Sequence, residues 1–323
     1  MIPTIATLDL ESLDPGFHRF GLALVEDELG RDLRLPLIVA RGRHPGPTLG
    51  ITAAVHGDEV NGIPVIHRLV EKTGTDRLRG TLVCLPIVNV PAYRQHSRRS
   101  PQGFDLNHHF PGVADGHEVQ VYAHRLMRSV IEKLDLLLDL HTASRGRVNC
   151  LYIRANINNP VTRRMAYLQR PQIILHNPAS DRTLRGAAQD LGIPSITVEI
   201  GNPSRVQSEY TRRAVRGIRA VMAEHGMISK RPEKLGPEPI VCRESQWLYT
   251  TRGGLLTVHP QLLQAVEQGE VIATVVDAFG RVTARYTAPF SGIVIGRAVD
   301  PVAATGARIL HLGRIDASLA GAP

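Results

Sequence analysis

Leu49-Gly-Ile-Thr-Ala-Ala-Val-His-Gly-Asp-Glu-Val-Asn-Gly62 is the stretch from which the rest of the chain can be read. Residues 49–55 are mostly apolar and β-branched, which predicts a buried strand. From Val60 to Glu71, Ile63, Ile66, Leu69 and Val70 recur at helical spacing on one face. His56 and Glu59 therefore fall where a strand gives way to a helix, with Gly57 permitting the tight turn. Ligands of open α/β sheets meet the carboxyl ends of strands. An imidazole and a carboxylate at this spacing can fill two corners of a tetrahedral zinc site, whose nitrogen and oxygen ligands lie at about 2 Å. Alone, His-x-x-Glu is a common chance match, and a turn-capping His56 with a solvated Glu59 in a first helical turn explains it better. The remainder of the chain changes that balance.

A length of 323 residues exceeds what one core usually serves, which predicts a large domain, 1–232, and a smaller one, 240–323. No apolar run approaches the roughly 20 residues of a membrane span. The start, Met1-Ile-Pro-Thr-Ile-Ala-Thr, lacks the basic and apolar regions of a signal peptide. Cys84, Cys150 and Cys242 are scattered, form no disulfide framework or metal knuckle, and suit a reducing compartment, the cytoplasm. The net charge of +8 raises nucleic acid as a partner, but the basic residues are dispersed and aromatics make up only 4%, so that footprint is missing. The charge favours acidic small molecules instead.

In chain order, alternating runs Phe17–Val25 and Leu33–Ala40 predict a β-hairpin. The strand at 49–55, a helix at 60–72 and a buried strand at 80–89 predict a parallel crossover. Residues 90–112, dense in Arg, His, Pro and Gly, read as a long functional loop. A helix at 117–133 leads to an apolar strand ending in His141. A strand at 151–153, a helix at 160–169, a strand from Ile173, a helix at 183–191, a strand at 193–201 carrying Glu199 and a helix at 207–226 follow. The class is α/β, a mixed and mostly parallel sheet flanked by helices. After a proline-bearing linker at 232–239, short β runs punctuated by glycine predict a small all-β sandwich or barrel.

Three strand ends thus carry His56 with Glu59, then His141, then Glu199. Two histidines and a glutamate leave a fourth zinc position for water, the layout of a hydrolytic site. Glu199 is the candidate general base and acid, and Asp139, two residues before His141 on the same strand face, is placed to orient it.

His56-Gly-Asp-Glu59, Asp105-Leu-Asn-His-His-Phe-Pro-Gly112, Asp139-Leu-His-Thr142 and Thr197-Val-Glu-Ile-Gly201 together resemble the succinylglutamate desuccinylase/aspartoacylase family, relatives of the zinc carboxypeptidases. Order and spacing agree over roughly 45–225, and Asp277-Ala-Phe-Gly280 and Ala288-Pro-Phe-Ser-Gly292 are similar to the β-module of many bacterial members. The resemblance implies one zinc ion per chain on His56, Glu59 and His141, with Glu199 as base. It implies an oxyanion-stabilising arginine at Arg98, with Arg99 as the alternative, and a substrate-holding Asn107. Where the family pattern is Asp-Leu-Asn-Arg, this chain has His108, which lacks the fixed charge and two-pronged grip of arginine. Either Arg145, Arg154 or Arg185 supplies that grip, or the substrate lacks a free α-carboxylate. His176 and Asp181, after a strand, are balanced between substrate contact and loop polarity, and Asn107 between substrate contact and an Asx turn. His109 reads as structural, and Cys84 and Cys150 as small buried hydrophobes.

The expected activity is zinc-dependent removal of an acyl group from a small N-acyl amino acid or acyl-amine. A carboxypeptidase with the same site, and a zinc-holding interaction protein, are the competing readings. No lysine follows Lys234, which excludes a biotinyl or lipoyl swinging arm and leaves the β-module a packing, lid or homo-oligomer-forming role.

Overall fold

Uninterrupted runs of Val, Ile and Leu build the middle of a fourteen-stranded mixed sheet in the computed structural model, which describes residues 1–178, 182–229, 236–316 and 318. Strands β1 (Thr4–Ile5), β2 (Gly16–Glu26), β3 (Asp32–Arg41) and β4 (His44–Ala53) precede helix α1 (Gly62–Glu71) and β5 (Arg79–Leu85). Helices α2 (Val90–Arg94) and α3 (Glu118–Ser129) lead to β6 (Leu136–His141), β7 (Arg147–Asn149) and β8 (Leu151–Ala155). Next come α4 (Pro160–Leu168), β9 (Ile173–His176), α5 (Leu184–Asp190), β10 (Ser195–Ile200) and α6 (Ser208–Glu224). The last section is built from β11 (Ile240–Tyr249), β12 (Gly254–Val258), β13 (Ala265–Val266) and β14 (Val271–Val276). It continues with β15 (Val282–Thr287), β16 (Gly292–Ala298), β17 (Val302–Ala303) and β18 (Arg308–Ile315).

The large sheet runs β1-β2-β3-β5-β4-β6-β10-β8-β9-β11-β18-β16-β13, with β7 paired to β16. Its centre, β5-β4-β6-β10, is parallel, as the apolar runs predicted, and the expected hairpin is the antiparallel β2–β3 pair. Strand alternation divides β6 between two cores. Leu136, Leu138 and Leu140 meet Val65, Ile66 and Leu69 of α1 and Ile218 and Val221 of α6. Leu137 faces the other way, onto the cluster of Val119, Tyr122 and Leu126 of α3 and Leu184 of α5. Helices therefore cover both faces, and every residue of β6 and β10 is buried.

The stretch after β5, expected to be structure-poor, holds two capped turns. Asn89 accepts a hydrogen bond from the Ala92 amide and starts α2, and Asp105 accepts one from the Asn107 amide and starts a single 3-10 turn, Leu106–His108. Strand β7 was not foreseen. It is three residues long and exists through its pairing with β16, a partner far away in sequence.

In the C-terminal section, β15-β14-β12-β17 form a separate antiparallel sheet. Leu256, Ile272 and Val275 of that sheet pack on Val294, Ile309 and Leu312 of β16 and β18, which makes a sandwich. The same section also extends the large sheet, because β11 pairs in parallel with β9. Cys150, Tyr152, Cys242, Ile293 and Ile295 seal that junction. Of the expected linker, 232–235, with Lys234, lies outside the described residues, and Gly236–Glu238 is exposed and irregular. Among the described residues no helix is long and apolar enough to cross a membrane.

Candidate active site

Parallel pairing brings the polar strand ends side by side. In the ladders, Thr52 lies opposite Asp139, and His141 opposite Glu199. Beyond β4 the chain turns at residues 54–58, and His56 and Glu59 arrive beside His141. Asn61 ties this turn to the end of β10. Its amide donates to the Ile200 carbonyl (2.7 Å) and to Gln207 Oε1 (3.1 Å), and its oxygen accepts from the Gln207 amide (2.8 Å).

One donor atom each from His56, Glu59 and His141, all three side chains buried, lie within 4.8 Å of one another. His56 Nδ1 is 3.0 Å from Glu59 Oε1, and His141 Nδ1 is 3.0 Å from Glu59 Oε2. The opposite nitrogen of each ring is held by a carboxylate, His56 Nε2 at 3.0 Å from Asp105 Oδ1 and His141 Nε2 at 2.7 Å from Asp139 Oδ2. Asp139 is fixed in turn by the Thr52 hydroxyl at 2.7 Å. A carboxylate behind each ring orients it so that both Nδ1 atoms face Glu59, the arrangement that raises the basicity of a ligating imidazole.

The focus calls for positive charge. Arg98 Nη1 donates to Glu59 Oε1 (3.0 Å) and Ser144 Oγ (2.6 Å) and lies 3.2 Å from His56 Nδ1, while its Nε donates to Asp105 Oδ2 (2.8 Å). Burial opposes charge on all three side chains and their mutual attraction outweighs it. Glu59 is held well below the usual carboxylate range by His56 and His141, and both histidines above theirs. Nitrogen and oxygen donors converging on a cation, with carboxylates behind both rings, fit a divalent metal such as zinc.

Glu199 faces this focus across a cleft that it lines together with His56, Glu59 and His141. The Tyr152 hydroxyl and Arg154 Nε each reach its Oε1 at 3.2 Å, and Asn149 Nδ2 reaches Oε2 at 3.4 Å. Tyr152 and Arg154 come from β8, antiparallel to β10, and Asn149 ends β7, which pairs with β16.

The other expected residues divide. Arg98 and Asn107 line the cleft, and Asn107 Oδ1 accepts from the Leu184 amide at 2.9 Å. His108 stands at the mouth, mostly exposed and 3.7 Å from Asp105. Arg99 is exposed and bonds the Gly103 carbonyl, outside the cleft lining. Of the arginines considered in place of the missing one, Arg145 is exposed outside the lining, Arg154 is engaged with Glu199, and Arg185 is buried on Asn177. His176 accepts from the Ile157 amide away from the cleft, and Asp181 lies outside the described residues. Sequence reading assigned no role to Asp105, Ser144, Tyr152, Asn149, Arg147, Trp247 or Arg308, all of which contact the site residues or line the cleft. Only Asp105, inside a quoted motif, carried any local signal.

A family model described as the succinylglutamate desuccinylase/aspartoacylase catalytic domain matches residues 45–225, more than half of the chain. The chain belongs to this family. The N-alpha-acetyl-L-2,4-diaminobutyric acid deacetylase of Halomonas elongata is 25% identical over 311 residues, covering 91% of this chain and 90% of its own. The product-bound ectoine utilization protein EutE (DoeB) of Ruegeria pomeroyi superposes with a TM-score of 0.85 at 22% identity, over 93% of this chain and 96% of that one. A succinylglutamate desuccinylase from Silicibacter sp. TM1040 gives a TM-score of 0.85 at 22% identity, over 98% and 99% of the two chains. At these identities the two superpositions establish the shared desuccinylase fold, including the C-terminal section.

Proposed function

We propose that this protein is a zinc-dependent amidohydrolase that removes the acyl group from an N-acyl amino acid or a related small acyl-amine. The observation that carries this reading is the convergence of His56, Glu59 and His141, with Asp105 and Asp139 behind the two rings. Family membership supports the reaction class, and the Halomonas relative, a deacetylase by name, places N-acetyl amino acids first among substrates to test.

In this reading His56, Glu59 and His141 hold one zinc ion per chain. Bound there, zinc acidifies a water toward neutral pH and polarises the scissile carbonyl. Glu199 takes the proton of the attacking water and delivers it to the leaving nitrogen. Tyr152, Arg154 and Asn149 keep its two oxygens aimed. Arg98 turns toward the negative charge that grows on the carbonyl oxygen. Asn107 and His108 contact the substrate from the cleft wall and mouth. Residues 1–232 carry the chemistry and 240–323 complete the cleft. Three unpaired, buried cysteines support a reducing, cytoplasmic setting.

Metal analysis of the purified chain is expected to give one zinc per chain, lost in His56→Ala. Glu199→Gln is expected to retain zinc while kcat falls by about 10²–10⁴-fold. Wild-type turnover in Glu199→Gln would remove it as the base. A panel of N-acetyl, N-succinyl and N-formyl amino acids against dipeptides separates acyl removal from peptidase action, and cleavage of dipeptides alone would replace this reading with a carboxypeptidase.

A further inference from the structure

Among the described residues, five arginines line the cleft: Arg98, Arg147, Arg154, Arg185 and Arg308. Three are engaged by protein groups, Arg98 on Glu59 and Asp105, Arg154 on Glu199, and Arg185 on Asn177. Arg147 and Arg308 differ. Among the described residues neither side chain donates to a carboxylate or another hydrogen-bond acceptor, and both guanidinium carbons lie over Trp247, at 5.2 and 5.0 Å from the ring centre.

We propose that Arg147 and Arg308, framing Trp247 on the C-terminal wall of the cleft, form a subsite for a carboxylate carried by the substrate. The proposal rests on the hydrolase reading of the same cleft and names the kind of substrate it selects. Two cations that share one ring and have no anionic partner repel each other. Burial, with Arg308 and Arg98 nearby, pushes Arg147 down to about 10. An anion between them relieves that repulsion and satisfies two donor forks suited to carboxylate.

The platform is rigid before any ligand arrives. Arg147 opens β7 opposite Ala298 of β16, and Arg308 opens β18 opposite Tyr249 of β11. Trp247 stacks on His311 at 4.7 Å, and His311 Nε2 lies 2.7 Å from Ser245 Oγ. A preordered site loses little entropy when it closes on its ligand. The placement also answers the question posed by His108. With no arginine at that loop position, the grip on a carboxylate passes to the opposite wall, built by strands from both sections of the chain.

Trp247 is the only tryptophan in the sequence, so its fluorescence reports on this wall alone. Titration of the full-length protein with succinate is expected to shift the emission saturably, while neutral succinamide leaves it unchanged. Arg308→Ala, at an exposed position, and Arg147→Met are each expected to weaken succinate about tenfold or more, with Arg308→Lys intermediate. The preference in kcat/KM for an N-acetyl amino acid over its neutral carboxamide is expected to fall about tenfold in Arg308→Ala. Succinate affinity within twofold of wild type in both the alanine and the methionine variants would overturn the subsite, as would an unchanged preference. A wild-type protein that binds succinate as described yet cleaves no N-acyl amino acid would set aside the hydrolase reading and leave the subsite standing.

Discussion

At the residue scale, the imidazole of His311 shows how the C-terminal strands are tuned to the cleft. It is buried, it stacks on Trp247, and its edge contacts Tyr152, which bonds Glu199. Burial, then Arg154, Arg308 and Arg147, push its pKa well below the ordinary histidine value. The folded protein therefore keeps it neutral, whereas the unfolded chain takes up a proton as pH falls below about 6.5. Unfolding then binds the extra proton, so stability decreases as pH drops, by up to about 1.4 kcal/mol per pH unit from this one group. His311→Gln removes that contribution. Denaturation measured near pH 8 and near pH 5.5 is expected to show the stability gap between wild type and variant shrinking at the lower pH. A gap of equal size at both would rule out His311 as the source.

At the scale of single elements, position 57 is reserved for glycine by contact. A Cβ there would lie 2.1 Å from the Ala92 carbonyl carbon and 2.2 Å from the Tyr93 nitrogen. The left-handed residue of the turn is Ala54, with φ 51°. The turn was legible in the sequence, but its reason was not, because the crowding comes from α2, thirty-five residues on. Gly57→Ala is expected to cost about 1–3 kcal/mol and lower the melting temperature by several degrees, through displacement of the segment leading to Arg98. An unchanged melting temperature would show that α2 gives way freely.

The same division runs through the site. His56, Glu59, His141 and Glu199 each end or follow an apolar strand, so local pattern alone marks them, and adjacency of β4, β6 and β10 brings them together. Arg147 and Arg308 open strands with no such pattern, and Trp247 lies in an alternating run shared with many surface strands. Their meeting depends on β7 finding β16 and β11 finding β9, pairings that no short stretch of sequence encodes. Arg99 illustrates the converse, a motif position whose side chain the loop directs away from the cleft.

At the scale of the whole molecule, the C-terminal section both forms a sandwich and continues the large sheet. Ending the chain at Glu238 would strip β11 from β9 and expose Tyr152, Ile173 and Leu175, which are buried against Cys242, Ile293 and Ile295. An apolar strand edge left bare is a template for aggregation. The fragment 1–238 is therefore expected to be insoluble, or to melt without a cooperative transition, whereas calorimetry of the full chain is expected to show one transition. A soluble fragment with its own sharp transition would establish that the first section folds unaided.

The parallel pairing of β9 with β11 also places a demand on synthesis. Ribosomes extend a chain from its N-terminal side at roughly 5–20 residues per second, so β9 emerges seconds before its neighbour β11 exists. Throughout that interval Ile173–His176 has one open edge, available to the same strand of another nascent chain on the same message. Translation speed between the codons for residues 177 and 240 sets the length of that exposure, which makes the pace of decoding there a lever on how much of this protein reaches its native state.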